Sequence, residues 1–329
     1  MNWQLAIRPN ERVNKYNNMA IIAGVDEAGR GPLAGPVVAA AVILPNSYNL
    51  EGLDDSKKVS PKKRSKLFID IYQQAIAIGL GIISAAQIDK TNILDSTQQA
   101  MKMALGQLKQ TPDQALIDGY ALPSQIIPNK GVIKGDQTVD VIKAASIIAK
   151  VTRDNMMEHY DIIFPVYGFK KHKGYGTREH MEKLLLNKAC AIHRKTFKPV
   201  AAAMPTLSWL QKQDRIEQWG EQVAAVYLME RSYEILSMNA TCDPYGEIDI
   251  IAEKNGKTIF VEVKTYDKKY LSTSEQNFDQ NKLKKLKEAI DKYDVDMKVK
   301  KDISVDFICV YLQALPPKFK HFKCISLDV

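Results

Sequence analysis

The chain has 329 residues, a formal net charge of +8 at pH 7 and the balanced composition of a soluble globular protein. This length supports about two domains. No apolar run reaches the roughly 18 residues that a membrane-spanning helix requires, so we expect a cytoplasmic protein without a membrane partner. The four cysteines are scattered, and no two are separated by two residues, which argues against a zinc ribbon and a disulfide-stapled scaffold. The excess of basic residues fits a polyanionic partner without identifying it.

The first part of the chain alternates apolar runs with helical patterns, which is typical of a mixed α/β domain. Strands are predicted at 20–25, 37–44, 81–84, 115–119 and 131–134, and helices at 61–77, 96–108 and 139–160. Ser60 and Pro61 mark a helix start, because serine caps free N–H groups and proline suits the first helical position. We expect this domain to occupy residues 1–200, followed by a linker over 201–215.

A separate pattern occupies residues 216–329 and predicts a second, smaller α/β domain. Helices are predicted at 215–231 and 282–293, and strands at 232–239, 246–252, 258–264 and 304–312. Asn255-Gly256, flanked by Lys254 and Lys257, is typical of a tight hairpin turn between two of these strands.

Acidic residues follow the apolar strands of the first domain. Asp26 and Glu27 end the first strand, Asp118 ends a later one, and Asp136 follows a shorter one. Acids at strand ends can converge at one sheet edge, where four carboxylates repel one another unless cations such as Mg²⁺ or Mn²⁺ bind them. Neighbouring strand residues point to opposite faces, so Asp26 and Glu27 reach one ion only if the strand bends or bulges. Alternatively, each acid merely caps a turn.

A glycine-rich segment comes directly after the first acids. Gly29 and Gly31 allow close approach of the backbone to a ligand, and Arg30 between them offers a planar guanidinium suited to phosphate. Acids for a metal ion beside donors for a phosphate indicate phosphodiester chemistry.

Residues 20–200 strongly resemble the ribonuclease HII family. The resemblance is carried, in order, by Asp26-Glu27-Ala28-Gly29-Arg30-Gly31-Pro32-Leu33-Ala34-Gly35-Pro36-Val37, Asp54-Asp55-Ser56-Lys57-Lys58, Leu116-Ile117-Asp118-Gly119, Lys134-Gly135-Asp136, Ala145-Ser146-Ile147-Ile148-Ala149-Lys150-Val151-Thr152-Arg153-Asp154 and His172-Lys173-Gly174-Tyr175-Gly176-Thr177. It implies an RNase H-like mixed sheet, dependence on Mn²⁺ or Mg²⁺, cleavage of RNA in RNA–DNA hybrids, and incision 5′ of single ribonucleotides embedded in duplex DNA.

The resemblance also implies roles for individual residues. The implied catalytic and metal-binding carboxylates are Asp26, Glu27, Asp118 and Asp136. The implied substrate-binding residues are Gly29, Arg30 and Gly31 at the ribonucleotide, Tyr175 at the following deoxyribose, and Lys57, Ser146 and Lys150 at phosphates. The 2′-hydroxyl is the group that distinguishes RNA from DNA, which fits this assignment.

Other interpretations of the first domain remain open. DNA-strand transfer also uses acids on an RNase H-like sheet, although the Gly29–Gly31 segment and Tyr175 favour ribonucleotide recognition. Lys57 can simply lie on a solvated face. His172, Cys190 and His193 have no standard zinc spacing, so an ordinary polar or core role is expected for them.

The second domain carries a smaller acidic pattern. Asp249 precedes Glu262, and Lys264 shares a strand face with Glu262. This pattern is typical of the catalytic residues of a PD-(D/E)xK nuclease site. Glu221 is a candidate for a further metal ligand. The order Gly220-Glu221, Gly246-Glu247-Ile248-Asp249 and Val261-Glu262-Val263-Lys264-Thr265 resembles the YraN-like family, which implies a restriction-endonuclease-like fold similar to Holliday-junction resolvases.

Two features leave the activity of this second domain open. Tyr266 stands where that family often carries an arginine. The acids and the lysine also fit a structural ion pair, and the domain fits a non-catalytic DNA-binding module.

Overall fold

The computed structural model describes residues 20–267, 280–297, 302–312 and 317–325. The first 19 residues of the expected N-terminal domain and parts of the expected C-terminal domain lie outside these ranges. The strands are β1 (Ile22–Ala28), β2 (Val37–Ile43), β3 (Ala77–Ile83), β4 (Gln114–Asp118), β5 (Asn129–Val132), β6 (Glu234–Thr241), β7 (Glu247–Lys254), β8 (Lys257–Tyr266), β9 (Ile303–Tyr311) and β10 (Lys318–Phe322). The helices are α1 (Pro61–Gln74), α2 (Ala85–Ile88), α3 (Ile93–Gly106), α4 (Gly135–Thr138), α5 (Asp140–Ile163), α6 (Phe169–His172), α7 (Arg178–Asn187), α8 (Lys198–Ala201), α9 (Leu207–Lys212), α10 (Ile216–Met229) and α11 (Gln280–Met297).

The first five strands form one mixed sheet in the order β3-β2-β1-β4-β5. β1, β2 and β3 pair antiparallel, whereas β4 and β5 continue parallel to β1. Helix α3 covers one apolar face of this sheet, and α1 and α5 cover the other. The expected mixed α/β class is confirmed.

Glycine at position 24 sets the distance between β1 and α5. A Cβ at Gly24 would lie 2.2 Å from the backbone carbon of Val141, near the start of α5. The helix therefore begins directly against the strand. Asp26, two residues further along β1, lies on the same face of the strand as Gly24.

The predicted helix start at Ser60 is confirmed. The Ser60 side chain accepts a hydrogen bond from the N–H of Lys63, and Pro61 begins α1. The structure also contains elements that the sequence patterns did not indicate, including α7 and β10. The expected linker over 201–215 contains the short helix α9.

The remaining strands form a second five-stranded sheet in the order β10-β9-β8-β7-β6. Helix α10 packs on one face, and α11 packs on the other through Leu286, Ala289 and Ile290. The predicted hairpin turn between β7 and β8 is confirmed, with φ of 54° at Asn255 and 80° at Gly256. The expected second, smaller α/β fold is therefore confirmed as well.

The two sheets are joined by a shared apolar core. Ile163 and Phe164, at the end of α5, belong to the same buried cluster as Val223 and Leu228 of α10. The side-chain amide of Gln222 donates to the carbonyl of Ile163 at 3.3 Å. Within the described ranges, no helix is long and apolar enough to cross a lipid bilayer.

β1 neither bends nor bulges at Asp26 and Glu27, so the condition for both acids to reach one ion is not met. β1 keeps regular antiparallel pairing with β2 through these residues, with Asp26 opposite Ala40 and Glu27 opposite Ala39. The two acids consequently leave opposite faces of the strand. The chain turns only afterwards, at Gly29, whose φ is +99°.

Candidate active site

Three acids meet at one edge of the first sheet because their strands are parallel neighbours. Asp26 and Asp118 follow Val25 and Ile117, which are register partners of β1 and β4. Asp136 lies in α4, just after β5, and its backbone N–H donates to Oδ1 of Asp118 at 3.2 Å. Asp26 and Asp136 are both 5% exposed.

Burial and mutual repulsion destabilise the charged forms of these acids. Burial raises the pKa of Asp26 well above its ordinary value, and the charges of Glu27 and Asp118 add to this effect. Burial also raises the pKa of Glu27, although the Arg30 guanidinium opposes the rise. Burial and Asp118 raise the pKa of Asp136. The acids therefore hold an excess of negative charge that a cation would relieve.

The cluster has the donor chemistry for Mg²⁺ or Mn²⁺, since both ions prefer carboxylate oxygens. Within the described residues, however, no three His, Cys, Asp or Glu side chains are gathered closely enough to hold a metal ion. Glu27 lies 3.6 Å from Nη1 of Arg30, and Asp136 lies 3.6 Å from Nζ of Lys57. These cations partly neutralise the acids where a metal ion would otherwise do so.

Ser146 lies inside the site, between Ser56 and Asp26. Its hydroxyl donates to Oγ of Ser56 at 2.9 Å, and it lies close enough to Asp26 to oppose the rise in the pKa of that carboxyl. Ser146 is only 4% exposed. In this arrangement the hydroxyl stabilises the ionised form of Asp26, and it does not lie on the surface where a phosphate would contact it.

The two lysines that the sequence singled out differ in their surroundings. The Lys57 side chain is 81% exposed beside Asp136, at the rim of the acidic cluster. Lys150 is largely buried, and its Nζ lies 2.7 Å from Oδ1 of Asp154. Only Lys57 is presented to solvent next to the acids.

The structure brings the Gly29–Gly31 loop and Tyr175 together. A Cβ at Gly31 would lie 3.7 Å from Cε1 of Tyr175, which is ordinary van der Waals contact. The Tyr175 side chain remains 44% exposed. The ion pair between Glu27 and Arg30 connects this loop with the acidic cluster.

Two buried arginines beneath this loop were missed by sequence reasoning. Arg153 is 1% exposed and Arg194 is 0% exposed. Arg194 donates to the carbonyls of Gly29 and Arg30 in the loop, whereas Arg153 donates to those of Ala34 and Pro36, which follow the loop. A lone arginine usually indicates a surface position. The one available signal was the place of Arg153 among alanine and isoleucine residues on the buried face of α5.

Three of the five histidines, His172, His180 and His193, pack against one another. Nε2 of His180 lies 3.0 Å from Nε2 of His193, and Nδ1 of His193 lies 3.0 Å from Sγ of Cys190. The ring of His172 stacks on that of His180 at 4.5 Å. Burial lowers the pKa of His180 to about 4 and that of His193 to about 3, so both are neutral near pH 7. The core role expected for His172, Cys190 and His193 agrees with this packing.

The second acidic cluster lies on the hairpin of β7 and β8. Asp249 and Glu262 are buried, and Oδ2 of Asp249 accepts from the N–H of Val263 at 2.7 Å. Lys264 is exposed on the same strand as Glu262, and its Nζ lies 5.8 Å from the centre of the Tyr266 ring.

Helix α10 places Glu221 beside this hairpin. A Cβ at Gly220 would collide with the side chain of Thr265, so the helix backbone lies directly on β8. Glu221 accepts from the amide of Asn239 at 2.8 Å. Burial raises the pKa of Glu221, and the charges of nearby acids, including Glu262, add to the rise. The structure thus groups Glu221 with Glu262.

Comparison with known proteins gives two family matches. The model of the family described as Ribonuclease HII matches residues 23–200, and that of the Uncharacterised protein family UPF0102 matches residues 220–310. A ribonuclease HII from Enterococcus faecalis is 56% identical over 180 residues, covering 55% of this chain and 70% of that protein. A ribonuclease HII from Acetivibrio thermocellus is 53% identical over 203 residues, covering 58% of this chain and 79% of that protein. The crystal structure of ribonuclease H2 from Pyrococcus horikoshii OT3 has a TM-score of 0.49 and 26% identity, covering 55% of this chain and 96% of that one.

The expected fusion of a ribonuclease HII unit with a YraN-like unit is confirmed by these matches. The first match spans more than half of the chain and contains the acidic cluster, the Gly29–Gly31 loop and Tyr175. The chain therefore belongs to the ribonuclease HII family and is a ribonuclease H of type II.

Proposed function

We propose that this protein is a metal-dependent endoribonuclease that cleaves RNA in RNA–DNA hybrids and incises duplex DNA on the 5′ side of a single embedded ribonucleotide. The observation that carries the proposal is the ion pair between Glu27 and Arg30. Glu27 lies beside the other acids, and Arg30 belongs to the loop that contacts Tyr175. Ribonucleotide removal during DNA replication and repair, in the cytoplasm, is the process that such an activity serves.

Asp26, Glu27, Asp118 and Asp136 would hold more than one ion, Mg²⁺ or Mn²⁺, because Glu27 leaves β1 on the face opposite Asp26. Such ions activate a water molecule and stabilise the leaving oxygen in phosphodiester hydrolysis, giving 5′-phosphate products. Asp26, Asp118 and Asp136 supply oxygens from one sheet edge. Ser146 favours the ionised form of Asp26, but burial and the charges of Glu27 and Asp118 outweigh this effect and raise the pKa, so a bound cation would be needed to hold Asp26 ionised.

The residues around the acids would bind the nucleic acid. Arg30 is half-exposed and Lys57 is mostly exposed, so each can exchange its carboxylate partner for a phosphate oxygen. The Gly29–Gly31 loop would contact the 2′-hydroxyl and its phosphate. The exposed ring of Tyr175 would pack on the following deoxyribose, which lacks that hydroxyl.

For the second part of the chain we propose a nuclease-fold domain over 216–329 that cuts or binds DNA, joined to the domain of residues 1–200 by the segment 201–215. The buried neighbours Asp249 and Glu262, with Glu221 on the adjoining helix and exposed Lys264, support a metal-dependent site. The alternative is a DNA-binding module without catalysis, which the same fold permits.

The first function is tested with an end-labelled DNA duplex that carries one ribonucleotide, beside an all-DNA duplex of the same sequence. With Mg²⁺ or Mn²⁺ we expect one cut, 5′ of the ribonucleotide, and no cut in the all-DNA duplex. Asp26→Asn should remove this cut while leaving binding largely intact. Equal cutting of both duplexes by the unmodified protein would contradict the proposal.

Metal dependence is tested in the same assay by chelation. We expect EDTA to stop cleavage and either Mg²⁺ or Mn²⁺, added in excess, to restore it. Full cleavage after exhaustive chelation and dialysis would show that the carboxylates act without a metal ion.

A further inference from the structure

Arg194 holds the Gly29–Gly31 loop from beneath. Its Nη2 donates to the carbonyl of Gly29 at 2.5 Å, its Nη1 donates to that of Arg30 at 2.8 Å, and its Nε donates to that of Gly35 at 3.0 Å. Nη2 also reaches the carbonyl of Pro36 at 3.2 Å. One planar guanidinium therefore fixes the orientation of successive peptide groups of the loop.

This orientation decides where the loop presents its N–H groups. In a trans peptide the C=O and N–H bonds point in opposite directions. The carbonyls of Gly29 and Arg30 point at Arg194, so the N–H groups of Arg30 and Gly31 point away from it. Within the described residues neither N–H donates to an acceptor, so both are available to a ligand.

Arg153 connects the residues that follow this loop to the segment that carries Tyr175. Its Nε donates to the carbonyl of Pro36 at 2.9 Å, and its Nη2 donates to that of Ala34 at 3.1 Å. Its Nη1 donates to the carbonyl of Lys173 at 3.0 Å, and its Cζ lies 5.9 Å from the centre of the Tyr175 ring. One side chain thus contacts both the residues that follow the Gly29–Gly31 loop and the segment that carries Tyr175.

Gly29 separates the two arginines. A Cβ at Gly29 would lie 2.0 Å from Nε of Arg153, while the carbonyl of the same residue binds Arg194. Within the described residues neither guanidinium forms an ion pair with a carboxylate. Burial lowers the pKa of Arg153 to about 10 and that of Arg194 to about 9, so both remain charged near pH 7. Two buried positive charges therefore lie behind the loop that would face a phosphate.

We propose that Arg153 and Arg194 are positioning residues for ribonucleotide recognition, which hold the N–H groups of Arg30 and Gly31 and the ring of Tyr175 in one fixed arrangement. This inference rests on the proposed function, because it assigns a ribonucleotide to the surface that the arginines organise. A buried cation lowers the free energy of unfolding unless all its donors form hydrogen bonds. Here the acceptors are all carbonyls of the Gly29–Gly31 loop, of the residues that follow it, and of the segment before Tyr175.

The test compares full-length Arg153→Lys and Arg194→Lys with the unmodified protein. Lysine keeps the charge but cannot hold several carbonyls in one plane. We expect kcat/KM on the single-ribonucleotide duplex to fall by about tenfold or more. Arg194→Lys loses hydrogen bonds to the loop itself, and Arg153→Lys loses those that join the residues after the loop to the segment of Tyr175. Cleavage of a long RNA–DNA hybrid should fall less, since that substrate offers many equivalent positions.

Two control variants separate positioning from general stability. Arg178→Lys changes a highly exposed arginine that pairs with Glu182, and it should leave both substrates unaffected. Leu67→Ala opens a cavity in the core beneath α1, far in sequence from the loop, and should lower the melting temperature without changing the ratio of the two rates. A positioning role predicts that only the buried arginine variants change this ratio.

Chemical rescue gives a second readout. Arg194→Ala should regain part of its activity on the ribonucleotide duplex when millimolar guanidinium is added, far below the molar range that unfolds proteins. Tyr175→Ala should not respond to guanidinium.

If Arg153→Lys or Arg194→Lys does not fold, Arg153→Gln or Arg194→Gln replaces it, because glutamine retains N–H donors.

The outcomes distinguish this inference from the proposed function. If the unmodified protein cuts at the ribonucleotide and both lysine variants keep the same rate ratio, the inference is wrong and the function stands. If the unmodified protein does not cut there, the proposed function is wrong. In that case the inference is decided by binding of the two duplexes, measured in EDTA by fluorescence anisotropy. A preference for the ribonucleotide duplex that both lysine variants lose supports the inference. The inference is overturned if the protein shows no such preference or if the lysine variants retain it.

Discussion

The two acidic clusters of this chain are assembled in different ways. Asp249 and Glu262 lie on neighbouring strands of a single hairpin, so a short stretch of chain suffices to place them. Asp26, Asp118 and Asp136 are distant in sequence and meet only because β1, β4 and β5 are parallel neighbours. The first cluster therefore depends on the packing of a whole domain, whereas the second depends on one hairpin and the helix beside it.

The strongest test of this difference removes one acid from each cluster. Asp118→Asn should lower cleavage of the single-ribonucleotide duplex by about a thousandfold, since one group that stabilises transition-state charge is lost. Glu262→Gln should leave the same rate unchanged, because it belongs to the other cluster. Single-turnover rates under saturating enzyme measure both effects. An Asp118→Asn protein with more than a tenth of the original rate would contradict the assignment.

The activity of the second cluster is measured best in a protein whose first cluster is disabled. In full-length Asp118→Asn, we expect Mn²⁺-dependent cutting of branched or flap DNA, and the further change Glu262→Ala should reduce it by about a hundredfold. Supercoiled plasmid serves as the unbranched comparison. Tight binding of all these DNAs with no cutting at all would instead support the non-catalytic binding module.

The dependence of the first cluster on distant packing is tested at Gly24. Gly24→Ala should lower the free energy of unfolding by about 3 kcal/mol, because the new methyl group collides with the backbone at Val141 and displaces α5. Gly106→Ala is the matched control: a Cβ there meets nothing within 4 Å, so stability should hold or rise slightly. Urea unfolding followed by circular dichroism measures both. Equal stability of the two variants would show that α5 tolerates a shift.

The histidine cluster makes the first domain sensitive to acid. The pKa of His180 is about 4 and that of His193 is about 3 in the folded protein, below the ordinary value of 6.5. The unfolded chain therefore binds more protons as pH falls below 6.5, and stability is lost from there down to about pH 4. We expect a loss on the order of 2 kcal/mol between pH 6.5 and 5, measured by urea unfolding. His193→Gln should weaken this dependence, and an unchanged profile in that variant would contradict it.

Ser146 provides the smallest and most local test. Because its hydroxyl contacts Asp26 and Ser56, Ser146→Ala should lower kcat about fivefold, the equivalent of about 1 kcal/mol for one hydrogen bond, and leave KM nearly unchanged. A phosphate contact would instead raise KM. Ser65→Ala, which removes an exposed hydroxyl bonded to the carbonyl of Pro61, should change neither constant.

Local patterns in the sequence sufficed for much of the fold. The helix start at Ser60 and the hairpin turn at Asn255 and Gly256 were predicted, because a cap and a tight turn depend on a few adjacent residues. The end of β4 at Asp118 was predicted from an apolar run that stops at an acid, whereas β1 continues two residues past Asp26, to Ala28. The family motifs supplied the rest of the candidate site, through resemblance.

The sequence left open whether β1 bends or bulges at Asp26 and Glu27, and in the structure the pairing of β1 with β2 continues through both residues. Strand register depends on the partner strand, which the local pattern around Asp26 does not contain. The internal position of Ser146 was missed for a similar reason, because its partner Ser56 is distant in the sequence.

The sequence by itself determined the order of most strands and helices, the acids that follow the apolar runs, and that the chain carries two differently patterned parts. Only the tertiary structure decided which of those acids lie together, and that Arg153 and Arg194 are buried beneath the recognition loop. The physical reason is that an arginine side chain can satisfy five donors either in water or on carbonyls far along the chain. The residues next to Arg194 do not distinguish these two possibilities, and the apolar neighbours of Arg153 on α5 only favour burial. The choice is made when the Gly29–Gly31 loop, α5 and the segment at Arg194 pack together.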